Sequence, residues 1–263
     1  MLNIKEKDLS IIIPFKSGHT LLYTTFIHLF KHLNIEIELE DDPNKILNNV
    51  YIFVRNPIDR FFSSYFWIEN ILKHEEDDII KHIKKTNIYD IESYINKYDI
   101  FLKGCDDFHY IPQSSQILRN NKIYKEEIIN SQTNLKLLYD SKLGPNYKIF
   151  KIEDIDKSIQ NNVLSIKNKE IKFYNKLDKI DFITNKFNFL EDYPSDVSFL
   201  FSTFYQYFKN IYEITYHHMN VDYIKKVSFY DYNKVCYLTE NECGFFGYDK
   251  KEIDYKLFRK TLI

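Results

Sequence analysis

Two short stretches of this chain carry side chains that could grip a phosphate group. The first, Phe15-Lys16-Ser17-Gly18-His19-Thr20, places a full positive charge, two hydroxyls and a glycine where an apolar run gives way to a helical one. The first-turn N–H groups of a helix lack intrahelical acceptors, and the positive end of the helix dipole points the same way, so an anion placed there is stabilised. Gly18 lets the main chain approach that anion closely or adopt a positive φ. The lysine precedes the glycine and no earlier glycine is present, so this is not the G-x-x-x-x-G-K-S/T loop of ATPases and GTPases. By itself such a loop is also compatible with an ordinary turn and a solvated lysine.

The second stretch runs from Val54 to Tyr65 and reads V-R-N-P-I-D-R-F-F-S-S-Y. Arg55 falls where a strand ends, the position at which open α/β sheets bind ligands. Pro57 suits the start of the following helix, and Ser63 lies near its second turn. A bidentate guanidinium is the natural partner of a phosphate, so Arg55 and Ser63 can converge on one. The alternative is that Arg55 and Arg60 pair with Asp59 or Glu69 and serve only the fold.

The elements that must hold these groups can be read from periodicity. Leu9 to Phe15 is a buried-strand run, ended by Pro14, which cannot donate to a ladder. From Thr20, a plausible N-cap or first-turn residue, the positions Leu21, Leu22, Phe26, Leu29 and Phe30 repeat at helical spacing. Further strands are expected at Ile35 to Leu39, Val50 to Val54 and Tyr147 to Ile152. A helix is expected from about Ile58, and another opens at Glu153-Asp154. Residues 75–100 read as charged, partly exposed helices, 182–226 as aromatic-rich helices, and 227–263 as a mixed closing segment. The alternation predicts an α/β fold: a P-loop-like three-layer sandwich with a mainly parallel central sheet and extra C-terminal helices.

Composition narrows the function classes. The 263 residues suit one domain, 1–263, since five glycines and six prolines provide no flexible linker. A net charge of −2 argues against a nucleic-acid binder acting through bulk charge, so any anion site is local. Three unevenly spaced cysteines give no disulfide framework or zinc pattern and suit a reducing compartment. No signal segment precedes Leu9 and no apolar run approaches bilayer length, so a cytoplasmic protein without a membrane anchor is expected. The 22 Tyr and 22 Phe accompany abundant Ile, Asn and Lys and read as compositional bias. Rings that stack on a sugar or an adenine would look the same in the sequence.

Taken together, the two loops resemble the nucleotide-binding signatures of sulfotransferases that use 3′-phosphoadenosine 5′-phosphosulfate (PAPS), in particular the carbohydrate-modifying branch. The first signature of that family reads roughly P-K-S/T-G-x-S/T; here Pro14 and Lys16-Ser17-Gly18-His19-Thr20 match it with Phe15 inserted. The second reads roughly R-D/N-P-x-x-R-x-x-S-x-Y, and Arg55, Asn56, Pro57, Arg60, Ser63 and Tyr65 match position by position. Asn56 stands where aspartate is commoner. Phe108 to Gln113 resembles an H-x-x-P-Q segment, Ile149 to Ile155 a K-x-E-D-L element, and Glu242 to Tyr248 a closing D-F-x-x-F-G-Y with Glu242 and Cys243 as departures.

The resemblance implies a metal-independent sulfuryl transfer from PAPS to a hydroxyl, most naturally on a glycan. It implies that Lys16 neutralises the bridging oxygen as the bond breaks. Ser17, Gly18, His19 and Thr20 would hold the 5′-phosphate, and Arg55 and Ser63 the 3′-phosphate. His109 is the first candidate for the base that takes the acceptor proton, because imidazole titrates near working pH. His19 is the second, and Glu69 or Glu75 a third. His217-His218 reads as structural. Two other classes stay open: a non-catalytic nucleotide- or glycan-binding relative, and a kinase-like phosphotransferase with an unusual phosphate loop.

Overall fold

The computed structural model describes residues 1–71, 78–105, 107–118, 133–158, 190, 197–210 and 228–248. Leu2–Ile4 (β1) and Leu9–Ile12 (β2) form an antiparallel pair with Leu2 opposite Ile11. The turn between them is a 3-10 segment, Lys5–Lys7, closed by Asp8 at φ 48°. Aspartate tolerates that left-handed conformation better than most residues, and its carboxylate accepts from the main-chain and side-chain N–H groups of Asn48.

Glu38–Leu39 (β3) adds antiparallel to the other edge of β1, Asn49–Val54 (β4) runs parallel to β2, and Tyr147–Lys151 (β5) runs parallel to β4. The sheet order is β3-β1-β2-β4-β5. The expected mainly parallel sheet is therefore corrected to a mixed one, with two antiparallel and two parallel neighbour pairs. The reason is local: a tight turn joins antiparallel strands directly, without the crossover a parallel pair needs. The strand at Leu9 is also not the first. Leu2–Ile4 is too short a run to show a period, yet it is fully buried between two neighbours.

The helices are α1 (His19–His32), α2 (Pro57–Ile71), α3 (Asp78–Lys85), α4 (Ile91–Asn96), α5 (Tyr98–Gly104), α6 (Gln113–Leu118), α7 (Leu135–Leu143), α8 (residues 152–158), α9 (residues 197–210), α10 (Phe229–Leu238) and α11 (Glu240–Phe245). Strand alternation sends Val50, Ile52 and Val54 to one face of the sheet, where they join Ile12 and the buried residues of α2, α4, α5 and α10. Phe53 points to the opposite face with Ile11 and Ile13, against Phe26 of α1 and Phe201 of α9. Helices thus cover both faces of the sheet.

Several boundaries shift. Helix α1 begins at His19 with Gly18 in the cap position, so Thr20 lies inside the first turn and is not its cap. The 75–100 stretch is less exposed than its charges suggest: Ile83, Ile88, Tyr94, Ile95 and Tyr98 are buried. Within 182–226 residues 197–210 are helical, and within 227–263 the helices are α10 and α11. The rest of both stretches, apart from Leu190, Ser228 and Thr239 to Tyr248, lies outside the described residues.

Candidate functional site

Because β2, β4 and β5 are mutually parallel, their C-terminal ends open on one edge of the sheet. The loops after β2 and β4, around Lys16 and Arg55, and the start of α8 at Glu153 lie together there, as expected for the ligand edge of an α/β sheet.

The loop after β2 is a tight turn, with Ser17 N–H donating to the Pro14 carbonyl at 3.1 Å. Lys16 and Gly18 both have positive φ, 64° and 67°. At Gly18 this conformation is what calls for glycine, since a Cβ there would meet Ile152 and Leu22 only at ordinary contact distances of 3.7 and 3.8 Å. At Lys16 the same backbone costs about 1–3 kcal/mol, the kind of strain found where main chain must present donors to a ligand. Left-handed residues in such a loop curve the main chain into a concave anion nest. Helix α1 has no side-chain cap, and its first intrahelical bond is Leu22 N–H to the Gly18 carbonyl. The N–H groups of His19, Thr20 and Leu21 therefore head the helix with no intrahelical acceptor.

Lys16 sits in a setting that disfavours its charge. Burial, then the guanidinium groups of Arg60 and Arg55, lower its pKa to about 8. A cation so destabilised gains more from an incoming anion than a solvated one does. Arg55 leans over the loop, its Nη1 donating to the Lys16 carbonyl at 3.5 Å. Ser63 stands four residues beyond Asp59 on the same face of α2. Burial raises the Asp59 carboxyl above its ordinary range, with Arg55 opposing the shift.

The H-x-x-P-Q segment packs against both loops. Gln113 is fully buried, and its Oε1 accepts from the Ser17 hydroxyl at 3.0 Å and from Arg55 N–H at 3.2 Å. Its Nε2 donates to the Arg55 carbonyl at 2.8 Å. Gln116 Oε1 accepts from Phe15 N–H at 2.7 Å. The Ser17 hydroxyl is thus engaged inward, whereas Thr20 is exposed at the rim. His109 Nδ1 lies 2.7 Å from Asp107 Oδ1, and the same oxygen accepts the His109 main-chain N–H. Burial works against ionisation of Asp107, but the bonds from His109 outweigh it and hold the carboxyl below its usual range. An ionised carboxylate only accepts, so in this contact Nδ1 is the donor. The His109 ring is 4.8 Å from that of Phe15. His19 stacks on Phe15 at 4.2 Å, and burial lowers its pKa to about 4, so it is neutral at pH 7 and a weak base.

Arg60 belongs to the second stretch by sequence, yet it is only 3% exposed and faces the interior. Its Nε donates to the Phe15 carbonyl at 3.1 Å, and its Nη2 to the Ile111 carbonyl at 2.6 Å and the Phe108 carbonyl at 3.4 Å. One guanidinium therefore ties the residue before Lys16 to the segment that carries His109. Glu242, also buried, lies near enough to favour that charge and accepts Ser114 N–H at 2.6 Å.

The remaining segments brace the Arg55 turn. Glu153 accepts Asn56 N–H at 2.8 Å through one oxygen and the Tyr248 hydroxyl at 2.8 Å through the other. Lys151 donates to the Gly247 carbonyl and lies 4.4 Å above the Tyr248 ring. Asp107, Glu153 and Tyr248 were not among the sequence candidates for the site. Glu153 and Tyr248 do sit inside the recognised segments, whereas Asp107 gives no signal beyond standing two residues before His109. The candidate base Glu75 and the pair His217-His218 lie outside the described residues, as does the side chain of Glu69.

Compared with family models, curated proteins and solved structures, the chain has no significant match. Among the described residues no helix is long and apolar enough to cross a membrane.

Proposed function

We propose that the chain is a PAPS-dependent sulfotransferase acting on a hydroxyl of a carbohydrate, and that its α/β domain is a P-loop-like one. One observation carries this reading: segments that resemble the family at residues 14–20, 55–65, 108–113, 149–155 and 242–248 meet at one edge of the sheet, joined by Gln113, Arg60 and Glu153. Convergence of groups more than forty residues apart is not required by any of the motifs singly.

In this reading the acceptor oxygen attacks the sulfur in line while the bond from sulfur to the bridging phosphate oxygen breaks. The products are a sulfate ester and 3′-phosphoadenosine 5′-phosphate. The protein's part is positioning and charge stabilisation, as in phosphoryl transfer. Lys16 faces the departing oxygen, the N–H groups that head α1 hold the 5′-phosphate, and Arg55 with Ser63 holds the 3′-phosphate. His109 Nε2 takes the acceptor proton, with Asp107 steadying the imidazolium from the other nitrogen, the logic of a carboxylate behind a catalytic histidine.

Calorimetric titration with 3′-phosphoadenosine 5′-phosphate, against AMP and ATP, tests the reading. Tight binding that requires the 3′-phosphate and falls by about 2–5 kcal/mol in Arg55→Ala is expected. Equal binding of AMP would remove the assignment. Nucleotide binding without transfer to any hydroxyl would leave a nucleotide-binding module.

A further inference from the structure

Arg60 lines a small internal cavity at the junction of three segments that are distant in sequence. Pro57 and Arg60 come from α2, Pro112 from the turn before α6, and Thr239 and Glu242 from the closing helices, with Tyr98 of α5 completing the polar part of the wall. All six residues are buried. The cavity leaves about 10 Å³ for the centre of a water molecule. That is the lower limit for a single water and far too little for a substrate.

Arg60 and Glu242 bring opposite charges to this wall, yet they make no direct ion pair with each other. Each is held in place by other partners. Arg60 Nε and Nη2 are committed to the Phe15, Phe108 and Ile111 carbonyls, and Nη1 donates to no acceptor among the described residues. Glu242 Oε1 accepts Ser114 N–H at 2.6 Å. Closing the gap into a direct pair would give up these buried bonds, which keeps the two charges apart. Burial works against both charges, and each is the main influence that supports the other. Charges so deep in a fold need their remaining hydrogen-bonding capacity filled.

One water meets that need. Cavities that stay dry are apolar, whereas a buried water typically makes about three hydrogen bonds to polar groups around it. Here Nη1 supplies a donor and the carboxylate an acceptor. The Tyr98 hydroxyl donates to the Tyr110 carbonyl at 2.8 Å, and the Thr239 hydroxyl to the Val235 carbonyl at 2.8 Å. Each hydroxyl therefore keeps a lone pair for a third bond.

We propose that this cavity is a binding site for one ordered water, which accepts from Arg60 Nη1 and donates to Glu242 and to the hydroxyl of Tyr98 or Thr239. The water joins the two charges. Through it α11 takes hold of the guanidinium that fixes the Phe15 carbonyl beside Lys16 and the Phe108 and Ile111 carbonyls on either side of His109. The site is a property of the fold and stands whether or not the chain transfers sulfuryl groups.

A high-resolution crystal structure of the full chain tests the proposal. It is paired with magnetic relaxation dispersion of the water oxygen nucleus, which counts long-lived internal waters in solution. One water within hydrogen-bonding reach of both Arg60 and Glu242 is expected in the crystal. Glu242→Gln keeps an acceptor and should keep that water. Glu242→Leu removes the acceptor and should show one long-lived water fewer than the parent. A direct contact between guanidinium and carboxylate, a cavity without ordered density, or an unchanged count of long-lived waters in Glu242→Leu would overturn the proposal. Should Glu242→Leu fail to fold, the parent crystal structure decides by itself.

Discussion

Gln113 brackets the main chain of Arg55, accepting its N–H at 3.2 Å and donating to its carbonyl at 2.8 Å. One side chain thereby does for the end of β4 what a neighbouring strand would do. The same Oε1 also takes the Ser17 hydroxyl, so the loops that carry Lys16 and Arg55 are both referenced to one buried amide.

Gln113→Ala should therefore loosen both loops together. Orphaning buried polar groups costs about 1–3 kcal/mol each, and a loss of about 2–4 kcal/mol is expected in urea unfolding. Affinity for 3′-phosphoadenosine 5′-phosphate should fall at least tenfold. Gln113→Glu keeps the acceptor but loses the donor to the Arg55 carbonyl, and should fall between parent and alanine variant. Unchanged nucleotide affinity in Gln113→Ala would separate Arg55 from this support.

Arg60 is a costly charge to remove from the fold, because it is buried and bonded to three carbonyls. Arg60→Met leaves the Phe15 and Ile111 carbonyls and the Glu242 carboxylate without their cation. Breaking such a buried arrangement from one side costs about 3–5 kcal/mol. Arg60→Lys should recover little, because an ammonium lacks the fork that reaches both carbonyls. Adding Glu242→Gln to Arg60→Met should cost less than the sum of the single changes, since neighbours in one network couple by about 0.5–3 kcal/mol. Strict additivity in unfolding titrations would show that the two do not interact.

On the proposed reading, Lys16 makes nucleotide binding a proton-linked event. Burial and the neighbouring guanidinium groups lower its pKa to about 8, so near pH 8.5 the larger share of the side chain is neutral. A bound phosphosulfate favours the charged form and draws a proton from solution. Calorimetry in buffers of different ionisation enthalpy should register proton uptake at pH 8.5, little at pH 6.5, and none from this source in Lys16→Met. Affinity should decline as pH rises through 8. Lys16→Ala should cut turnover by ~10²–10³, the loss of one transition-state donor.

In the proposed reaction, the Asp107–His109 pair divides base from support. His109→Ala should lower kcat by ~10²–10⁴, the usual contribution of a general base, with nucleotide affinity unchanged. Asp107→Asn should lower kcat less than His109→Ala does, because the imidazolium loses the carboxylate that steadies it. A fully active His109→Ala enzyme would move the base elsewhere. His19 is then a poor substitute near neutrality, since burial lowers its pKa to about 4.

Local sequence determined the parts of this protein whose physics is local. Leu9–Ile12 and Asn49–Val54 are strands because β-branched and aromatic residues run together there. Gly18 frees φ and Pro57 restricts it where each strand gives way to its helix, and Lys16 and Arg55 are thereby delivered to strand ends. The tertiary structure decided the features that depend on partners far along the chain. Gln113 meets Arg55 across 58 residues and Glu242 meets Ser114 across 128. The inward turn of Arg60 depends on three carbonyls from two separate loops. The mixed sheet depends on the three-residue strand Leu2–Ile4, whose register is set by the neighbours on either side. A buried polar group takes its role from whichever partner satisfies it, and that partner is chosen by packing and not by the residue's own neighbours in sequence.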